Sequence, residues 1–318
     1  MFRKTNNITL FLVLVVLVAA VWFVKDRKDV ASEKTFDKEN LVNIDTAQVS
    51  EVYVYSKSEQ HEEIKLSGSG NDWTVQKGQD QAPADASSVK NLLGQLSAIV
   101  PTRLAAKSKS KWKDYEVTDS LASRVKIVES GETTLDIMLG KFSYNQASRS
   151  GISYIRLKGE NDVYATDGFL SMAAQGYNSW RDKSLIKGGE QDWSRISFTY
   201  PADSGFVMNK EGDHWFSNGM PLDSTEVARY ISGIKSTTSS TFRDDFEQGA
   251  RLPDYSMKIE GDNLFQTVNI NAFRVDSADF ALHSSLNSQA YFTSDDKGVF
   301  KRLFIPRSKV EAKVAVIE

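Results

Sequence analysis

Residues 72–100 have the sequence DWTVQKGQDQAPADASSVKNLLGQLSAIV, and this stretch sets the fold class. It opens with a strand-like segment around Trp73, and turn-forming residues follow. Asp85 is a predicted helix N-cap, because its carboxylate accepts hydrogen bonds from the first free backbone N–H groups. The apolar residues after the cap have helical spacing, at Val89, Leu92, Leu93, Leu96 and Val100. The stretch therefore predicts a strand followed by an amphipathic helix over 86–100.

The same order of elements occurs a second time in the chain. Trp215 lies in a strand-like segment, and Pro221 and Asp223 precede another segment with helical spacing. We expect Trp73 and Trp215 to anchor a helix against a sheet, because a large aromatic side chain buries about 150–250 Å². The chain is therefore predicted to contain an internal duplication.

Strand-like segments flank the helix in both copies. In the first copy they are 49–55, 63–66, 72–75, 123–128, 134–139, 153–157 and 162–166. In the second copy they are 193–200, 205–209, 213–216, 255–260, 266–271, 278–283 and 290–294. A short terminal helix is predicted after each set, at 168–175 and 297–304. Hairpin-linked strands with so few helices favour antiparallel sheets.

The predicted fold class is α+β, with an N-terminal transmembrane helix followed by two tandem repeats of an antiparallel sheet covered by helices. Each repeat has a typical domain length. The predicted units are an anchor at 1–28, a tether at 29–40, a first α+β repeat at 41–177, a linker at 178–189, a second α+β repeat at 190–306 and a C-terminal tail at 307–318.

The anchor is predicted from residues 8–24, ITLFLVLVVLVAAVWFV, which carry no charge. A helix of this length spans roughly 26 Å, close to the ~30 Å of a bilayer core. A cleaved signal peptide is the alternative, with a cleavage site at Val18-Ala19-Ala20. Trp22 and Phe23 favour the anchor, because they continue the apolar run to the position of an interfacial aromatic belt.

The orientation of the anchor is predicted from its flanks. Arg3 and Lys4 precede the span, and Lys25, Arg27 and Lys28 follow it, so the positive-inside count is nearly balanced. The very short N-terminal tail favours a cytoplasmic N-terminus. We therefore expect a single-pass protein of the inner (cytoplasmic) membrane with its large domain on the exported, periplasmic side.

Composition narrows the function classes. A formal net charge of −3 over 318 residues gives no electrostatic basis for nucleic-acid binding. The absence of cysteine excludes disulfides, thiol catalysis and thiolate metal sites. His61, His214 and His283 are the only histidines, and no two of them have metal-ligand spacing. We therefore predict no cofactor, no metal site and no catalytic residue.

Two charged segments beside a tryptophan are predicted partner contacts, because aromatic and Arg side chains are enriched at binding hot spots. One is the lysine-rich stretch 107–113, KSKSKWK, and the other is the start of the linker. A solvated loop and a salt-bridged linker are the structural alternatives, and contact with anionic lipid is a further one for the lysines. The residues concerned are Lys109, Lys111, Trp112, Lys113, Trp180, Arg181 and Lys183.

Several short motifs occur in a fixed order along the chain: Trp73-Thr-Val75, Pro83-Ala-Asp85 through Leu96, Leu139-Gly140, Val163-Tyr164 and Arg181-Asp-Lys183-Ser-Leu185. In this order the chain resembles the bacterial family catalogued as domain of unknown function 4340, well over 49–185 and more loosely in the second half. The resemblance implies a membrane-anchored or exported protein associated with ABC transporters of the gliding-motility type. The shared motifs are structural, so the resemblance implies no catalytic residues.

Three functions are compatible with these observations. The favoured one is a membrane-anchored, non-catalytic interaction or accessory protein, an exported-side auxiliary component of an ABC-type transport or envelope complex. The alternative is an exported small-molecule or glycan binding protein with a cleft between the two repeats, which requires a concave pocket with convergent polar groups. An envelope hydrolase is the third, and it requires clustered carboxylates or a Ser/His pair.

Overall fold

The computed structural model describes residues 41–311, apart from 147, 148, 169, 171, 263 and 265. Its chain forms two antiparallel sheets, of nine and eight strands, with few helices, so the described part is mostly β. The predicted anchor and tether lie outside the described residues. Among the described residues, none of the helices combines the length and the apolar character needed to span a bilayer.

The first module contains the nine-stranded sheet, in the order β4-β3-β2-β1-β6-β7-β8-β9-β5. Its strands are β1 Val49–Tyr55, β2 Glu63–Ser69, β3 Asp72–Lys77, β4 Asp80–Pro83, β5 Pro101–Ala106, β6 Ser123–Glu129, β7 Glu132–Asn145, β8 Ser150–Leu157 and β9 Val163–Asp167. Its helices are α1 Ala86–Ser97 and α2 Tyr177–Trp180, with 3-10 turns at Lys57–Glu59, Lys109–Lys111 and Met172–Ala174.

The second module contains the eight-stranded sheet, in the order β13-β12-β11-β10-β14-β15-β16-β17. Its strands are β10 Arg195–Thr199, β11 Phe206–Glu211, β12 His214–Ser217, β13 Met220–Pro221, β14 Tyr255–Glu260, β15 Val268–Arg274, β16 Asp279–Ser284 and β17 Asn287–Asp295. Its helices are α3 Ser224–Ile234 and α4 Val299–Leu303, with 3-10 turns at Glu190–Asp192, Pro201–Asp203 and Arg307–Lys309.

The two sheets have the same strand order once β5 is set aside, which confirms the predicted tandem arrangement. Even β5 has a counterpart. It pairs with β9 through Leu104 and Tyr164, and in the second module Phe242 forms an isolated antiparallel bridge with Phe292 of β17. The segment after α3 therefore lies along β17 as β5 lies along β9, although it makes too few pairs to count as a strand.

Both predicted helix caps are confirmed. One carboxylate oxygen of Asp85 accepts a hydrogen bond from the Ser87 N–H at 3.0 Å. Asp223 accepts two, from the Thr225 and Glu226 N–H groups. Helix α1 ends at Ser97, three residues before the predicted end. Val100 precedes Pro101, the first residue of β5, and helical backbone is disfavoured for a residue before a proline. The helix therefore ends before Val100, which is 55 % exposed and does not pack in the core.

The apolar side chains form one principal core in each module, between the sheet and its helix. Trp73 is 6 % exposed and Trp215 is 7 % exposed, and each belongs to the core of its own module. The helix residues Val89, Leu92, Leu93 and Leu96 are buried in the first core, as their spacing predicted.

The prediction of a helix over 168–175 was wrong. The structure has a 3-10 turn at Met172–Ala174, with Ala173 buried, and Gly168 has a positive φ of 93°. Glycine costs about 1 kcal/mol in a helix relative to alanine, and at Gly168 the backbone is left-handed, so a regular helix does not begin there. The second terminal helix is present as α4.

We predict that Trp73→Ala or Trp215→Ala lowers the free energy of unfolding by about 3–5 kcal/mol, because each removes a large side chain from a closed core. Chemical denaturation of the purified protein measures this loss. Tyr144→Ala is the control, because Tyr144 is 58 % exposed and should change stability by less than about 0.5 kcal/mol. A loss below about 1 kcal/mol for both tryptophans contradicts their role as core anchors.

Candidate functional site

The start of the predicted linker is packed inside the protein. Trp180 is fully buried and Arg181 is 6 % exposed. The Trp180 carbonyl accepts the Asp85 N–H at 2.8 Å, and Arg181 forms a β-bridge with Ala84. These residues therefore close the first module beside β4.

Arg181 also binds the second module. Its Nη1 and Nη2 donate hydrogen bonds of 2.8 Å to the two carboxylate oxygens of Asp244. The guanidinium carbon lies 3.7 Å from the centre of the Phe242 ring, and Nη1 also donates to Asn178 Oδ1 at 3.1 Å. A bidentate Arg–carboxylate pair fixes the relative orientation of the two side chains as well as the distance between them. We call Arg181 and its partners Asn178, Phe242 and Asp244 the inter-module joint. These contacts hold the two modules at a set angle.

The rest of the linker is packed into the second module. The N–H groups of Leu185 and Ile186 donate to the Thr237 carbonyl at 2.9 and 3.0 Å, and both side chains are fully buried. Asn287 Nδ2 donates to the Asp182 carbonyl at 2.6 Å. The segment after Arg181 is therefore part of the second core and not a free connection.

These contacts correct one site prediction. Trp180 and Arg181 are buried in the joint, so they are not available as a surface contact for an external partner. Lys183 is half-buried, and its Nζ donates to the Ser179 carbonyl at 2.7 Å. A run of three charged residues suggested a solvated surface, but Asp244, 63 positions away, gives Arg181 its partner inside the fold.

The lysine-rich stretch 107–113 lies largely at the surface, in contrast to the buried Trp180 and Arg181. Its lysines Lys107, Lys109, Lys111 and Lys113 are exposed, whereas Trp112 is half-buried. Trp112 Nε1 donates to the Asn161 carbonyl at 2.9 Å, and the guanidinium of Arg156 stacks 3.7 Å from the Trp112 ring centre. The tryptophan thus holds the loop on the sheet, and Lys109, although exposed, has its Nζ 5.2 Å from the centre of the Trp112 ring.

Arg156 is the buried residue that organises this loop, and the sequence pattern gave no sign of it. It is 2 % exposed, and it donates to the Val117 carbonyl at 3.1 Å and the Glu160 carbonyl at 3.3 Å. Burial lowers the pKa of Arg156, but an arginine remains charged in proteins. Asp119 lies 3.6 Å from this guanidinium and supplies the opposite charge.

The two groups of predicted contact residues do not form one site. Arg181 bridges to the chain after β4, and the lysine-rich loop follows β5. These two strands are the opposite edges of the nine-stranded sheet, eight strand spacings of ~4.8 Å apart, or roughly 38 Å measured along the sheet.

A polar groove of about 860 Å³ lies where the modules meet. Asp244 of the second module lines this groove together with residues of the first module. The lining residues of the first module are Glu59, Glu62, Glu63, Lys65, Gln76, Lys77, Gly78, Gln79, Asp80, Tyr177 and Asn178. Most of its charges have partners, because Lys77 binds Glu59 at 2.5 Å and Glu62 at 3.0 Å, and Asp244 binds Arg181.

Glu59 connects two elements at this groove. One carboxylate oxygen binds Lys77 of β3, and the other accepts the Tyr177 N–H at the start of α2 at 2.9 Å. The hydrogen bond from Lys77 holds the pKa of Glu59 below its ordinary value. A carboxylate in this setting serves as a structural tie between the sheet and the linker helix.

The histidines occupy separate structural positions. His61 Nε2 lies 2.9 Å from the Ala122 carbonyl, His283 Nε2 lies 3.2 Å from the Ser288 carbonyl, and His214 is exposed on β12. Within the part of the chain that the structure describes, no three His, Cys, Asp or Glu side chains are grouped to hold a metal ion.

Comparison with known families assigns the chain. The model of the family described as "Domain of unknown function (DUF4340)" matches residues 73–258, more than half of the 318-residue chain. The chain belongs to the DUF4340 family. The DUF4340 match runs from the Trp73 strand to β14, so it contains the inter-module joint. Comparison with curated proteins and with solved structures found no similar chain.

We predict that Asp244→Asn lowers the free energy of unfolding by about 1.5–3 kcal/mol, since hydrogen bonds to charged groups contribute that much. The Asp244 side chain is 61 % exposed, so solvent screening places the loss in the lower half of this range. Asp245→Asn, a change at the adjacent exposed residue, is the matched control. Equal stability of both variants in urea denaturation contradicts the proposed role of the joint.

We predict that acid weakens the fold through Glu59. Because its folded pKa is lowered, its stabilising contribution is complete above the unfolded pKa of about 4.3. That contribution is lost as the pH falls through the lower folded pKa. Glu59→Gln should be less stable than the wild type at neutral pH, and the difference should shrink towards pH 3. Urea denaturation across pH 3–7 measures this, and a constant difference contradicts it.

Proposed function

We propose that the protein is a membrane-anchored, non-catalytic accessory protein, placed on the exported (periplasmic) side of the inner membrane in an ABC-type transport or envelope complex. The apolar run 8–24 supports attachment to the membrane. The description of the DUF4340 family names no activity or cellular context, so the association with gliding-motility-type transporters is part of the proposal.

The inter-module joint is the observation that carries this proposal. A protein that closes a cleft around a ligand needs a hinge whose residues change conformation. Here the connection is fixed by a buried guanidinium, by Phe242 and by the backbone bonds of Leu185 and Ile186 to Thr237. A fixed connection suits a scaffold that presents two surfaces to partners at a constant separation.

The non-catalytic part of the proposal is supported by the roles of the groups that a hydrolase would use. The groove carboxylates Glu59 and Asp244 are bound to Lys77 and Arg181. Glu63 accepts a hydrogen bond from the Tyr55 hydroxyl at 2.6 Å. The engagement of these three carboxylates in structural contacts supports a structural role for them rather than a role as an acid–base pair.

A second candidate function is favoured by the groove itself. Its lining comes from both modules, as the alternative of a small-molecule or glycan binding protein requires, and it includes the aromatic Tyr177. Because the joint fixes the modules, such a ligand would enter a preformed groove without domain closure.

Purification of the full chain from detergent-solubilised membranes tests the proposal. We expect the chain to stay in the membrane pellet when membranes are washed with high salt and at alkaline pH. After solubilisation in detergent, we expect the chain to co-purify stoichiometrically with the membrane and ATP-binding subunits of a transporter. A control chain, in which an unrelated single-span helix replaces 8–24, should keep these partners if the exported modules make the contact.

Two outcomes contradict the proposal. A mature chain that begins at Val21 shows cleavage and no anchor. A chain that elutes without stoichiometric partners, but whose Tm rises with a sugar or small molecule and no longer does so after Tyr177→Ala, favours the second candidate.

A further inference from the structure

The lysine-rich loop 107–113 is a feature of one copy only. The second module has a loop in the matching place. The loop of the first module follows β5 and leads to β6, and its counterpart follows the bridge at Phe242 and leads to β14. The whole connection from β5 to β6, residues 107–122, holds four lysines and three acidic residues, a net charge of +1, and all four lysines lie in 107–113. Residues 243–254 hold two arginines and four acidic residues, a net charge of −2. Duplicated modules share their cores, so a surface that differs in charge points to a separate role.

The acidic residues that follow the loop are engaged within the protein. Glu116 binds Lys57 at 3.1 Å, and Asp119 binds Lys158 at 2.9 Å. Asp114 binds Lys111 at 3.0 Å, and the other lysines of the loop remain exposed around this pair. One of the four lysines is therefore paired with a sequence neighbour, and the positive charge that the loop presents outward comes from Lys107, Lys109 and Lys113.

The loop is preorganised. The Lys109–Lys111 segment is a 3-10 turn, and the Ser108 hydroxyl accepts the Ser110 N–H at its start. Trp112 is held under Arg156. A rigid loop loses little conformational entropy when its side chains meet a charged surface.

The position of the loop relates it to the membrane. Val49 begins β1 and pairs with Glu129 at the end of β6, whereas Ala106 ends β5 and pairs with Val163 at the start of β9. Strands β1, β6, β7, β8, β9 and β5 are consecutive and antiparallel, so these points lie at one end of the sheet. The chain that leads from the apolar run 8–24 thus enters the fold at the end where the lysines begin.

The distances are compatible with simultaneous contact. Five strand spacings of ~4.8 Å put the loop roughly 24 Å from β1 along the sheet. Leu41, Val42 and Ile44 already pack against the first core, and the 16 residues between position 24 and Leu41 reach at most roughly 55 Å when extended. The loop is therefore within reach of the bilayer that holds the anchor.

We propose that the 107–113 loop binds the anionic phospholipid headgroups of this bilayer and sets the orientation of the first module on the membrane. This inference rests on the membrane attachment in the proposed function. Clusters of basic residues near a membrane surface are attracted to its anionic lipids, with about fivefold in affinity per lysine.

The absence of cysteine makes a direct test possible. Ser110→Cys, in the exposed loop, and Gln79→Cys, in the exposed turn between β3 and β4 at the opposite end, each take one environment-sensitive fluorophore. The labelled full chain is reconstituted in vesicles of phosphatidylcholine alone or of phosphatidylcholine mixed with the anionic lipid phosphatidylglycerol. The Ser110 label should shift to shorter wavelength and be quenched by lipid-borne quenchers only with phosphatidylglycerol.

The control variants define the outcome. The Gln79 label should respond equally to both lipids, and Lys109→Gln with Lys113→Gln should weaken the Ser110 response by about 25-fold in lipid titrations. Inorganic phosphate should leave the Ser110 label unchanged. A Ser110 signal that is the same in both lipids overturns the inference.

The alkaline wash of the same vesicles separates this inference from the anchor. A retained chain with an insensitive Ser110 label overturns the lipid contact alone. A released chain whose label still responds to phosphatidylglycerol supports the lipid contact and overturns the anchor.

Discussion

The guanidinium of Arg181 is the contact on which the arrangement of the two modules depends. It is buried, it meets Asp244 with two parallel hydrogen bonds, and it stacks on Phe242. Its Nε–H has no hydrogen-bond partner among the described residues, which costs free energy in a buried position. The planar fork offsets this cost, because it satisfies both oxygens of one carboxylate at once. A lysine has one donor centre and no flat face, so it cannot replace both interactions.

The duplication divides the molecule into a shared core and divergent surfaces. The strand orders match, and Asp85 and Asp223 cap equivalent helices. Arg156 of β8 and His283 of β16 occupy equivalent positions in the two modules. This follows from the pairing of β6 with β7 and of β14 with β15, and from the pairing of β7 and β15 with the next strand. One copy therefore holds a buried cation that clamps a basic loop, and the other has a histidine beside Tyr291. Packing constrains the core of each copy, whereas the faces were free to take different roles.

Sequence reasoning located most strands because period-two alternation survives in strands with one buried face. It missed three edge strands: β4, whose residues Asp80 to Pro83 are mostly polar, β5, Pro101–Ala106, whose burial does not alternate, and β13, which has only two residues. It also placed Trp180 and Arg181 on the surface, because local charge does not reveal a partner 63 positions away. The apolar Leu185 and Ile186 were the available signal that the linker is packed, since a solvated connection has no use for two buried aliphatic side chains.

The first module has a direction that follows from its strand pairing. The chain enters at the end where β1 begins, and the lysine-rich loop starts at that same end. The turn between β3 and β4 lies at the opposite end and lines the polar groove with Asp244 of the second module. A membrane at the entry end would therefore face the basic loop, whereas the groove would face away from it. The joint preserves this separation, because a rotation of the second module requires Arg181 to leave both Asp244 and Phe242.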